Sequence, residues 1–284
     1  MSQMDEATIL VDAHVHIYDC FELNIMLDAA LQNFSKAAND IGQVSEVIGV
    51  LLLTETRSYN WFQQTRDVCI RNQSLPASEK GWEIQLTPDS TVLQAKQKND
   101  GQADGNLLDD MQIYIVAGRQ IVTAEGLELL ALATDGTFED GLPVSSALAA
   151  VCESGAIPVF PWAVGKWLGK RGKILATLLS HEPPVGLCLG DNSGRPVFWR
   201  NPSHFKQARA LNMHILPGTD PLPFANEAKR VGSYGFTMQG SLSDAHPAAD
   251  LKRLLQAMET KLLAYGRLEK SWRFLANQIR LRLA

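Results

Sequence analysis

For most of its length the chain alternates short, continuous apolar runs with stretches whose apolar residues recur at helical spacing. Ile9-Leu10-Val11 and Val47–Thr54 (VIGVLLLT) read as buried strands by their length and unbroken apolarity. Between them, Leu23, Met26, Leu27, Ala30, Leu31 and Phe34 place one apolar stripe on a helix over Phe21–Ala38. A polar helix is predicted over Trp61–Arg71, and a hairpin over Trp82–Leu86 and Thr91–Ala95, broken at Pro88-Asp89. Further strands are predicted at Gln112–Ala117, Ile121–Thr123, Ile157–Trp162, Val185–Leu189 and Met213–Leu216, with a further apolar run at Leu127–Ala133. Helices are predicted at Leu142–Ser154, Lys166–Leu179 and Phe205–Leu211, the first of them stopped by Gly155.

Strands alternating with helices predict an α/β fold with a mostly parallel sheet, open or closed. In such folds ligands sit at the carboxyl ends of the strands. The pattern is that of a single domain with no repeat of fixed period. A polar insertion is expected at about 73–110, its Gly/Asp/Asn-rich part over Lys96–Asp110 read as a loop. The tail at about 247–284 is expected to be helical, with Leu251, Leu254, Leu255, Met258 and Leu262 on one stripe and a basic end at Lys270, Arg273, Arg280 and Arg282.

The formal net charge of −5 changes the picture in one respect: it argues against nucleic acid as a partner, for which a basic domain is expected. The four cysteines are scattered without a Cys-x-x-Cys, the pattern of reduced thiols in a cytoplasmic protein. The acidic start Met1-Ser2-Gln3-Met4-Asp5-Glu6 is not a signal peptide, and no apolar run is long enough to span a bilayer. These readings predict a soluble chain with no membrane partner, and they leave room for a homo-oligomer.

Candidate chemistry enters with the end of the first strand, Asp12-Ala13-His14-Val15-His16. Residues i and i+2 of a strand share a face, so both imidazoles can point at one centre and offer nitrogen ligands to a divalent metal. Asp191, after Leu187-Cys188-Leu189-Gly190, lies at another strand end; it is either a turn carboxylate or a general base facing His14.

Taken together, these strand ends resemble those of the PHP (polymerase and histidinol phosphatase) metal-dependent phosphoesterases, from about Ile9 to Phe236. That resemblance implies a distorted, TIM-like (β/α)7 barrel of the metal-dependent hydrolase kind. The opening His-x-His is matched by His14 and His16, and the closing Gly-Ser-Asp-x-His by Gly218-Thr219-Asp220-Pro221-Leu222. Elsewhere the family's ligand positions read Thr56, Gln120, Trp162 and Leu222, while Glu55 keeps a carboxylate at the second strand. Ser243-Asp244-Ala245-His246-Pro247 is a rival for the closing motif, although Asp244 or Ser243 reads better as the cap of a helix starting at Pro247.

The resemblance therefore implies a reduced site: one divalent ion (zinc, manganese or iron) or none, with His14, His16 and Asp220 as ligands and Glu55 and Asp191 as catalytic carboxylates. Arg119, Lys166, Lys170 and Arg171 would bind an anion where metals are lost. Two functions stay open. One is a metal-dependent hydrolase of a phosphoester; the other is a catalytically inactive PHP-like barrel that binds a small anionic ligand or a protein partner.

Overall fold

The computed structural model describes residues 6–42, 46–72, 74–76, 81–98, 111–180, 183–257 and 260–283. The chain begins with β1 (Ala7–Val15), α1 (Leu23–Asp40), β2 (Val47–Leu53) and α2 (Trp61–Asn72). Then come β3 (Ser74–Pro76), β4 (Trp82–Leu86), β5 (Val92–Gln97), β6 (Gln112–Val116), β7 (Gly118–Val122) and β8 (Glu128–Leu132). The second half holds α3 (Val144–Glu153), β9 (Ile157–Pro161), α4 (Gly169–Ser180), β10 (Cys188–Asn192), α5 (Ser203–Ala210) and β11 (Ile215–Gly218). It ends with β12 (Gly235–Gly240), α6 (Pro247–Gln256), β13 (Leu263–Tyr265) and α7 (Ser271–Leu283).

These elements make a mixed α/β fold of two sheets. One has eight strands in the order β13-β12-β1-β2-β6-β5-β4-β3, and the other has five, β11-β10-β9-β8-β7. Among the described residues, the continuous ladders form these two open sheets rather than one closed ring. β12 pairs antiparallel with β1, and β7, β8 and β9 pair antiparallel in turn, so the parallel order expected of a (β/α)7 barrel is interrupted. The sheets are instead stitched at two seams. At one, the Asp220 amide donates to His14 O at 2.8 Å; at the other, Glu55, just beyond the end of β2, bridges to Arg119 in β7.

Side-chain alternation explains the layers. Ile9, Val11, Val50, Leu52, Leu132, Val159, Cys188 and Phe236 belong to one buried cluster from the inward faces of both sheets. Residues of opposite parity, such as Leu10, Leu51 and Leu53, pack outward under α1 and α2. In the smaller sheet Leu129, Phe160 and Leu189 do the same under α3, α4 and α5. Ala248, Leu251 and Leu255 of α6 join the inner cluster. Because α6 follows β12, which runs antiparallel to β1, it closes the end where the parallel strands begin. The opposite end, where β1, β2, β9, β10 and β11 finish, is left for chemistry.

The hairpin expected within the insertion forms as β4 and β5, which extend the larger sheet beyond β6, and residues 99–110 lie outside the described residues. Two expectations change. The tail is not one helix, because β13 pairs with β12 between α6 and α7; Met258 lies outside the described residues. α6 starts with Pro247 in its first turn as expected, but neither Ser243 nor Asp244 caps it. Instead Asp250 reaches back to accept from the Ser243 amide (2.8 Å) and hydroxyl (2.6 Å).

Candidate metal centre at the strand ends

His14 and His16 would not face inward on a regular β1. Leu10 and Asp12 share the parity of His14, and Leu10 points outward. The register against β2 slips between Asp12, opposite Leu51, and Val15, opposite Leu53. This bulge exchanges the two faces, so both histidines turn toward the strand-end mouth. Gly218 lies against the bulge so closely that a Cβ there would meet the His14 backbone nitrogen at 2.3 Å.

Asp12 locks the same corner. Its buried carboxylate accepts from the Thr219 amide (2.7 Å), the Thr219 hydroxyl, the Gly232 amide (2.9 Å) and, longer, the His14 amide (3.3 Å). One side chain thus ties β1 to both segments that frame Asp220. Burial pushes the Asp12 pKa up to about 6 against the pull of those donors.

Here the described residues bring together the three predicted ligands. His14 Nε2 and His16 Nε2 are 3.1 Å apart, and each is 3.5 Å from Asp220 Oδ1. Ligand atoms about 2.0–2.2 Å from a common ion, at tetrahedral to octahedral angles, stand roughly 2.8–3.6 Å from one another. The donor set and its spacing therefore fit one divalent cation. Burial, the largest influence, holds the His14 pKa down to about 4, with Asp220 and a side-chain hydrogen bond to Gln120 opposing it. At neutral pH the ring is uncharged, the form that ligates. Burial also works against the charge on Asp220, but His14, His16 and Arg230 outweigh it and bring its pKa to about 2. Asp220 holds a left-handed backbone (φ 48°), which aspartate tolerates better than most residues.

The fourth member of this group was not predicted. Asn192 donates to Asp220 Oδ2 at 2.9 Å and to Trp162 O at 2.7 Å, orienting Asp220 so that Oδ1 faces the histidines. Its buried Oδ1 has no hydrogen-bond partner among the described residues, an acceptor left over for a bound group. Alternation in β10 is the signal for it: in the fold Cys188 faces inward and Leu189 outward, so Asn192 rather than Asp191 has the inward parity.

Asp191 points to the other face. Its two oxygens accept from Arg195 Nε and Nη2, both at 2.6 Å, and one also accepts from the Tyr234 hydroxyl at 2.7 Å. That geometry corrects the expectation that it faces His14 as a base. Glu55 sits nearer the mouth, with Oε1 accepting from the Phe62 amide (2.9 Å) and Oε2 3.3 Å from Arg119. Burial raises its pKa, opposed by those two partners among others.

The expected anion binders do not converge. Arg119 also donates to Tyr59 O and the Asn60 side chain, Lys166 pairs with Glu128 at 3.1 Å, and Arg171 donates to Gly165 O and Gly126 O. Lys170 is exposed at the start of α4. The tryptophans among them, Trp162 and Trp167, are core residues. Two cavities flank the cluster instead. One of about 320 Å³ is lined by Glu55, Arg57, Arg119 and Gln120, and one of about 230 Å³ by Asn192, Asp220, Arg230 and α7.

No protein-family model and no curated protein matches the chain. Among solved structures it is similar to PsfC from Pseudomonas syringae, at 16% identity over 99% of this chain and 100% of that one, with a TM-score of 0.52. It is also similar to the lesion-specific endonuclease Q from Pyrococcus furiosus, at 9% identity over 91% of this chain, with a TM-score of 0.50. The chain spans 59% of that endonuclease's length. These likenesses support a PHP-like fold. They also correct one expectation: this fold is shared with a lesion-specific endonuclease, so a net charge of −5 does not exclude nucleic acid as a partner. Among the described residues, no helix is long and apolar enough to cross a membrane.

Proposed function

We propose that this chain is a metal-dependent hydrolase of the PHP-like fold, acting on a phosphoester at a one-ion centre formed by His14, His16 and Asp220. The observation that carries the reading is the convergence of two imidazole nitrogens and one carboxylate oxygen at 3.1–3.5 Å, at the strand ends. A two-histidine, one-carboxylate set suits zinc, manganese or iron. When bound, such an ion polarises a phosphoryl oxygen and makes a water more acidic.

The protein's own residues do the rest. His14 stays neutral because it is buried, and Asp220 stays charged because of the groups around it. Asn192 fixes the carboxylate, and Asp12 fixes the backbone on both sides of it. Glu55 borders the cavity beside the centre with its proton affinity raised by burial, which suits it to hold and deliver a proton there. Arg57, exposed on the same cavity, supplies positive charge toward an anionic substrate.

The test is metal content by elemental mass spectrometry, with hydrolysis of bis(p-nitrophenyl) phosphate, for the parent and His14→Ala/His16→Ala. The parent should hold about one equivalent after incubation with zinc or manganese, and the double variant about a tenth or less. Hydrolysis should fall with it by at least about 100-fold. A parent that takes up no metal would leave the alternative, a PHP-like domain that binds without hydrolysing.

A further inference from the structure

Five cationic side chains, Arg230, Arg267, Lys270, Arg273 and Arg280, line one open cleft of about 510 Å³ at α7. This is a marked concentration in a chain of net charge −5. Glu269 is the one acidic residue among the lining residues, and Glu227 lies buried behind it. These carboxylates fix the back of the cleft. Arg230 pairs with both, at 3.1 and 3.0 Å, and Arg273 pairs with Glu227 at 3.1 Å. Arg280 is held over the Phe224 ring, 3.6 Å from its centroid. Arg267 and Lys270 are exposed and make no side-chain ion pair among the described residues. The cleft thus has a floor in which Arg230 and Arg273 are balanced by Glu227 and Glu269, and three cations without a carboxylate partner among the described residues, Arg267, Lys270 and Arg280.

Two further features narrow the ligand. Trp272 lines the cleft and is 68% exposed, a large aromatic face in solvent beside the cations. Phosphates on cations with bases on an aromatic face is how proteins hold unpaired nucleic acid strands. The cleft also leads somewhere. Arg230 and Asn277 line it and also line the neighbouring cavity that contains Asn192 and Asp220. A strand can follow such a concave path to the strand-end mouth, which a flat lipid surface cannot.

We propose that this cleft binds single-stranded nucleic acid, with backbone phosphates on Arg267, Lys270 and Arg280 and a base stacked on Trp272. The direction of the strand, toward Asp220, rests on the reading of that centre as hydrolytic; the binding itself does not.

The experiment is fluorescence anisotropy of a labelled oligothymidylate of about fifteen nucleotides, with chelator present, at roughly 50 and 200 mM salt. Binding by the parent should weaken at least about 10-fold in Arg267→Glu/Lys270→Glu, with a shallower salt dependence. In Trp272→Ala it should weaken by about 5- to 30-fold. Melting temperature and metal content serve as controls that the variants fold and that the His14 centre is intact. Unchanged oligonucleotide affinity in both variants would overturn the proposal. So would a site where polyphosphate competes equally and Trp272→Ala has no effect, because that is a general polyanion site. Anionic phospholipid vesicles bound in preference to the oligonucleotide would also overturn it. Since the assay is metal-free, failure of the hydrolase reading leaves the result unaffected.

Discussion

Asp191 and Asn192 are neighbours in β10 with opposite surroundings, and replacing each should separate stability from ligand binding. Asp191→Asn leaves the Arg195 guanidinium buried without its countercharge, which costs about 3–5 kcal/mol of folding stability. Urea unfolding should show that loss, while metal affinity in the folded protein stays close to the parent's. Asn192→Ala removes the donor that orients Asp220, and metal affinity should fall about 10- to 100-fold, with a smaller loss of stability, about 1–3 kcal/mol, from the Trp162 carbonyl left unpaired. Isothermal titration with zinc or manganese reads the second effect, and equal affinities for Asn192→Ala and parent would refute it. The histidines and Asp220 were legible in the sequence because strand ends with metal-ligating side chains form a recognisable pattern. Alternation gives Asn192 the parity of Cys188, but which face of β10 turns inward is decided by the packing of the two sheets. Asp12 was less legible, since its role depends on amides of Thr219 and Gly232 that only the tertiary fold brings to it.

At the scale of elements, the bulge in β1 decides whether the histidines serve the site at all, and Gly218 on β11 is what gives it room. A methyl group at 218 would sit 2.3 Å from the His14 nitrogen and 2.6 Å from its Cβ, and both are held by the strand. Gly218→Ala should therefore shift the β1–β11 seam, costing about 1–3 kcal/mol of stability and at least about 10-fold in metal affinity. Thermal unfolding and metal titration on the same sample check it, and retention of parental metal affinity would show that the seam yields without moving His14. Most helices and parallel strands could be read from apolar runs and helical spacing, because each buries one continuous face. The sheet division could not. Antiparallel pairing of β12 with β1 depends on contact between opposite ends of the chain, and β12, Gly235–Gly240, has only two strongly apolar residues to announce it. α7 was expected as part of a single docked tail helix, yet it lines the cavity beside Asp220, a position no local pattern encodes.

For the whole molecule, the same corner that builds the site sets the pH dependence of folding, through two buried groups of opposite sign. His14 has its pKa lowered from 6.5 to about 4, so between those values the unfolded chain binds the proton more readily than the folded one. Its contribution is present above pH 6.5 and is lost as the pH falls toward 4, about 3 kcal/mol in all. Asp12 has its pKa raised from 3.8 to about 6, so there the folded chain holds the extra proton. Its contribution is present below pH 3.8 and is lost as the pH rises through 6, again about 3 kcal/mol. Glu55, also raised, adds to the sense of Asp12. With chelator present, the parent should thus show a shallow stability profile between about pH 5 and 6.5, because opposing slopes overlap. Asp12→Asn keeps acceptor and donor at that corner but removes its titration, and should become less stable as the pH falls across this window. His14→Gln should do the reverse and be more stable at about pH 5 than at pH 6.5. Asp220, drawn against burial from 3.8 to about 2 by His14, His16 and Arg230, loses its contribution as the pH falls below about 5. It adds to the sense of His14 at the acid end, so the slopes are read between about pH 5 and 6.5. Urea unfolding at four or five pH values decides it: opposite slopes in the two variants are expected, and parallel profiles would mean that these two buried groups do not govern the stability of the fold.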